Sequence, residues 1–139
     1  MARKPNILFI MTDQQRADHV GFMGNGVVQT PHLDSLAASG CVFENAWVSN
    51  PVCMPNRATI LTGRMPTAHG VIFNDRSLDW HANTFVRQLR ADGYRTALLG
   101  KSHLQHGMSR NAVGDFRGEG AVLPSEPDGW DQFEDFERY

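Results

Sequence analysis

Apolar residues fall along this chain in short bursts, separated by glycine, proline and polar clusters. Residues 6–11 carry an unbroken run, Ile7-Leu8-Phe9-Ile10-Met11, that stops at Thr12-Asp13-Gln14-Gln15. A run this short and without alternation predicts a parallel strand covered on both faces. Residues 21–30 contain three glycines and predict a loop. Thr30-Pro31 then predicts a helix N-cap followed by proline at the first helical position. Leu33, Leu36 and Ala37 supply the apolar stripe of that helix, and Gly40 its stop. Residues 42–48 alternate loosely and predict a second strand, followed by a loop over 49–54.

Pro55 suits the first turn of a helix that continues through 58–62 and stops at Gly63. Asn83 or Thr84 caps a further helix, with Phe85, Val86 and Leu89 on its buried side and Gly93 at its end. Residues 94–99 predict another buried strand, stopped by Gly100. Strands and helices in this order predict an α/β fold with a mostly parallel sheet flanked by helices. Residues 105–139 differ: Gly, Asp, Glu and Arg abound and aliphatic residues are few. Trp130, Phe133 and Phe136 fall there at a rough helical spacing, with no obvious partner strand.

Composition narrows the function classes. At 139 residues the chain is long enough for one domain with a core. Its 41% hydrophobic and 20% charged content is ordinary for a soluble protein. A formal net charge of -2 argues against a nucleic-acid partner. The two cysteines, Cys41 and Cys53, are too few for a disulfide framework and read as free thiols in a reducing compartment. The apolar run near the N-terminus is too short for a signal peptide or a membrane span. The chain therefore reads as cytoplasmic, with no membrane partner.

Chemistry gathers at the predicted strand ends, where open α/β sheets bind ligands. The first strand ends in Asp13-Gln14-Gln15, and the last in Lys101-Ser102-His103. Cys53 and Arg57 stand at the entry to a helix, where unpaired N–H groups and the helix dipole favour anions. One acid, one amide, one lysine, one histidine, one arginine and one cysteine suit a metal ion with an oxyanion substrate. Taken singly, each has a plainer reading as a turn cap, a loop surface residue or a small core filler. His19, His32, His69, His81 and His106 read as structural or exposed, with His69 and His106 the first exceptions to consider.

The pattern Cys53-Met54-Pro55-Asn56-Arg57, continued by Leu61-Thr62-Gly63-Arg64, resembles the extended C-x-P-x-R-x-x-x-L-T-G-R signature of the sulfatase family. That family lies within the alkaline-phosphatase-like superfamily. Asn6-Ile7-Leu8 through Asp13 is similar to its first strand and metal-binding aspartate. Gly100-Lys101-Ser102-His103-Leu104 is similar to its G-K-x-H-L segment. The resemblance implies an alkaline-phosphatase-like fold and the hydrolysis of a small-molecule sulfate ester. It also implies that a separate formylglycine-generating maturation enzyme converts Cys53 to formylglycine. The aldehyde hydrates to a diol, and beside a divalent cation one hydroxyl attacks sulfur. Asp13, Gln14 and the modified Cys53 would ligate the metal, Ca²⁺ first, with Mn²⁺, Mg²⁺ and Zn²⁺ open. Arg57, Lys101 and His103 would act on the diol, the substrate oxygens and the protons.

Asp13-Gln14 stands where many family members have two aspartates, which resembles the choline-sulfatase and phosphonate-monoester-hydrolase branches. It lowers the ligand charge by one and makes a phosphonate monoester or phosphodiester hydrolase the alternative reading. An inactive fragment with unmodified Cys53 is the other. The family is several times longer, so residues 1–139 are expected to be the N-terminal part of a catalytic domain, apparently truncated, marginally stable and inactive alone.

Overall fold

The structure, a computed structural model, describes residues 4–79, 81–99, 101–104 and 135–137. The chain divides into two units, Met1–Ala46 and Trp47–Tyr139.

In the first unit a 3₁₀ turn at Gly21–Met23 packs on helix α1, Pro31–Ser39. The predicted loop over 21–30 is therefore partly ordered as a turn. Its anchor is polar: Thr30 Oγ1 accepts the Gly21 N–H at 2.8 Å, and Asp34 Oδ1 accepts the Phe22 N–H at 2.8 Å. Thr30 in turn donates to Asp34 at 2.9 Å. Thr30 occupies the predicted N-cap position, yet its side chain makes no capping bond to the helix because the turn has claimed it. A Cβ at Gly21 would meet the Asp34 carboxylate, so any larger residue would have to displace that side chain from its bonds to Phe22 and Thr30. The predicted stripe Leu33, Leu36 and Ala37 lines an open apolar cavity of about 540 Å³ with Val20, Phe22 and Met23.

Two predicted strands are not formed. Among the described residues, 6–11 and 42–48 have no ladder partner, and their large side chains are exposed: Leu8 is 82% and Trp47 89% accessible. A strand needs hydrogen bonds from a neighbour. Among the described residues of Met1–Ala46 there is no other strand to supply them.

The second unit is built around α2, Cys53–Thr62. Helix α3, Pro66–His69, and helix α4, Phe85–Ala91, pack against it. The start of α2 includes Cys53 itself, earlier than the loop predicted over 49–54. Its end follows the prediction: Gly63 adopts a φ of 66°, which glycine tolerates without cost, and its N–H bonds Thr59 O at 2.8 Å. The neighbouring Thr62 hydroxyl donates to Ala58 O at 2.7 Å and accepts from Arg64 N at 3.3 Å, so Thr-Gly-Arg closes the helix. Helix α4 starts as predicted, Thr84 Oγ1 accepting the Arg87 N–H at 3.2 Å. Val86 is buried beneath it, with Phe85 and Leu89 half-buried.

The predicted strand at 94–99 shortens to β1, Ala97–Leu99, which pairs in parallel with β2, Asp135–Glu137. Phe136, read as helical in spacing, lies opposite Leu98 on that pair. Three residues are too few for a two-residue period to show. Gly100, His106, Trp130 and Phe133 lie outside the described residues. Among the described residues, no helix is long and apolar enough to cross a membrane.

Met54, Ala58, Val71, Leu78 and Leu104 form the core of this unit, flanked by Leu61 and Ala82. Met54 contributes from the first turn of α2 and is fully buried. Met54→Ala is expected to lower the stability of the full-length protein by about 2–5 kcal/mol. A shifted denaturant midpoint at constant slope checks this.

Candidate active site

The first turn of α2 carries two of the predicted site residues. Cys53 is half-buried at the first helical position. Arg57 follows one turn later on the same side, 7% exposed. Its Nη1–H donates to the Lys101 backbone carbonyl at 2.8 Å. That bond joins α2 to a segment 44 residues away in sequence. Segment 101–104 is tied down further along as well. Leu104 is in the core, and its carbonyl accepts the Leu78 N–H at 2.8 Å.

His103 lies between these two anchors, 5% exposed, with a φ of 49°. A non-glycine residue holds this left-handed conformation only when its surroundings dictate it. Here the Lys101 and Leu104 anchors do so. Lys101 is half-buried. The structure thus sets Cys53 and Arg57 on one turn of α2 and ties Arg57 to the segment that carries Lys101 and His103.

The N–H groups at that entry are mostly committed. Asn50 Oδ1 accepts Val52 N at 2.8 Å, and Asn74 Oδ1 accepts Met54 N at 2.9 Å. Pro55 has no N–H, and Asn56 N bonds Val52 O at 3.1 Å. An anion beside Cys53 must therefore rely on side-chain cations more than on the helix terminus. The sequence reading missed both asparagines. Asn50 before Pro51 carries a local turn signal, an Asx turn, that was available. Asn74 reaches across 20 residues and leaves no local trace.

A second polar chain supports α2 from behind. Ser49 Oγ donates to Thr59 Oγ1 at 2.9 Å, and His69 Nε2 lies 3.0 Å from the same oxygen. His69 Nδ1 accepts the Val71 N–H at 3.1 Å. Burial of the ring pushes the His69 pKa below its ordinary value, with its own backbone hydrogen bond pulling weakly the other way.

The predicted metal ligands Asp13 and Gln14 lie in Met1–Ala46 and are exposed. Both offer oxygen donors, which suits a hard cation. Two donors do not make a metal site. Among the described residues, no three or more His, Cys, Asp or Glu side chains cluster as metal ligands would.

The sequence profile named Sulfatase matches residues 5–128, most of the chain. This chain belongs to the sulfatase family. An ulvan-active sulfatase from Formosa agariphila is 45% identical over 101 residues, covering 73% of this chain and 20% of the relative. An arylsulfatase from Clostridium perfringens is 41% identical over 102 residues, covering 73% of this chain and 21% of the relative. A solved structure of a protein in complex with its substrate, D-glucosamine-2-N,6-O-disulfate, is similar to this chain with a TM-score of 0.73. It is 32% identical and covers 81% of this chain and 24% of the other. This sulfatase chain thus spans about a fifth of the length of the curated relatives it matches.

The lowered His69 pKa makes stability depend on pH. The unfolded chain takes up the proton first, near the ordinary value of 6.5. The contribution of neutral His69 is therefore complete above that pH and is lost as pH falls through the lower folded value. Denaturation midpoints of the full-length protein should drop on acidification through this window, and His69→Gln should reduce that drop.

Proposed function

We propose that this chain is the N-terminal part of a sulfatase catalytic domain that hydrolyses sulfate esters with a formylglycine made from Cys53. The observation that carries the reading is the junction of α2 with segment 101–104. It sets Cys53 and buried Arg57 on one helical turn and pins Arg57 to Lys101 O at 2.8 Å. Cysteine followed by proline and arginine in a helix's first turn suits a precursor whose thiol is not the working group.

The hydrated aldehyde at position 53 attacks the ester sulfur through one hydroxyl oxygen. The S–O bond to the alcohol breaks, and the alcohol leaves with a proton. In this reading His103 handles that proton. The second hydroxyl of residue 53 then loses its proton, its C–O bond becomes a carbonyl, and sulfate departs. Water restores the diol. Serine has no second hydroxyl and would remain esterified. Arg57 and Lys101 balance the negative charge that grows on the sulfuryl oxygens, the task that the committed N–H groups of α2 leave to side chains. A divalent cation, Ca²⁺ or a similar hard ion, held by Asp13 and Gln14 with donors from beyond this chain, would favour the ionised nucleophile.

Intact mass of the full-length protein is expected below that of the encoded chain by the cysteine-to-formylglycine difference. An unshifted mass in an active preparation would sink the reading. Cys53→Ala is expected to abolish turnover of an aryl sulfate. Arg57→Ala should lower both the modified fraction and kcat, the latter by about 10²–10³-fold. Paired kinetics on the sulfate and the phosphonate ester of one phenol decide the substrate class. A higher kcat/KM for the phosphonate would replace the sulfatase reading with a phosphonate monoester hydrolase.

A further inference from the structure

We propose that His69 is a positioning residue for the Cys53 helix: as the tautomer bearing hydrogen on Nε2, its ring holds Thr59 and thereby fixes how α2 presents Cys53 and Arg57. The inference rests on the reading of those two residues as the working site.

The tautomer follows from donor logic. The Val71 N–H, 3.1 Å from His69 Nδ1, can only donate. Nδ1 must therefore keep its lone pair, and in the neutral ring the hydrogen sits on Nε2. Nε2–H then donates to Thr59 Oγ1, 3.0 Å away. Thr59 belongs to α2, two residues after Arg57. The same Thr59 oxygen accepts from Ser49, which precedes Asn50, the residue holding Val52 N at 2.8 Å. One imidazole thus links the end of α3 to the middle of α2 and, through Thr59 and Ser49, to the segment that leads into Cys53.

Its far side is rigid. Val71 is fully buried and shares the core cluster with Met54 and Ala58 of α2. The α2 helix needs such outside support because Val52 at its N-cap offers no side-chain cap. Asn74 grips its first turn and His69 its middle. Together they limit both sliding and rotation of the helix that carries residue 53.

Three substitutions in the full-length protein separate positioning from plain structure. His69→Gln keeps a donor near the Nε2 position. His69→Asn keeps an acceptor near the Nδ1 position. Thr59→Val removes the oxygen with little change in volume. With kcat expressed per formylglycine, measured by intact mass, His69→Asn and Thr59→Val are expected to lose about tenfold, the scale of one hydrogen bond. KM should stay within about twofold, His69→Gln should retain most activity, and the double variant should be no worse than either single.

Loss of stability with kcat per formylglycine unchanged would overturn the proposal, as would rescue by Asn and not by Gln. The ring ¹⁵N spectrum of wild-type protein gives a readout independent of activity. Protonated Nε2 with bare Nδ1 supports the proposal, and the opposite tautomer overturns it. A wild-type protein inactive on aryl sulfates would overturn the functional reading alone. The spectrum and the His69–Thr59 coupling in stability would still decide the tautomer and the hold on α2.

Discussion

The hydrogen bond from Arg57 to the Lys101 carbonyl is the constraint on which the rest of the second unit turns. A guanidinium 7% exposed is costly to place unless its donors are engaged. Engaging Lys101 O meets part of that need and brings in segment 101–104. Leu104 then enters the core beside Met54, and His103 is carried into its buried, left-handed position. The same contact that engages a buried guanidinium therefore ties α2 to the segment carrying Lys101 and His103.

The unit reads as a helix held from several sides. Asn74 engages its first turn, His69 and Ser49 its middle, and Gly63 ends it with a left-handed residue. Each of these is a polar contact worth little alone, near a kcal/mol in order of magnitude. Their common effect is geometric: residue 53 has few directions in which to move. On the proposed function, in which residue 53 attacks sulfur in line with the leaving group, such restriction favours the reaction.

The first unit shows the opposite case. Residues 6–11 and 42–48, the latter running past the unit's end at Ala46, have the composition of buried strands and no partner strand among the described residues. Their exposure follows from geometry, since a β-strand is completed only by a neighbour. The predicted parallel sheet is represented by one pair, β1 with β2. Family membership rests on the match over residues 5–128 and on relatives of whose length the match covers about a fifth, not on the extent of sheet.

Local signals were legible without coordinates. Glycine at helix ends marked Gly40, Gly63 and Gly93, Thr84 marked a cap, and the Cys53-to-Arg64 signature marked the family. These depend on backbone preferences within a few residues, so the sequence alone determined them. Only the tertiary structure decided that Thr30 serves the 3₁₀ turn, that Asn74 caps Met54, that His69 reaches Thr59, and that Arg57 holds Lys101. A hydrogen-bonding side chain can satisfy itself in many ways. Which partner it takes is settled by the packing of distant segments, and one-dimensional spacing carries no record of that choice.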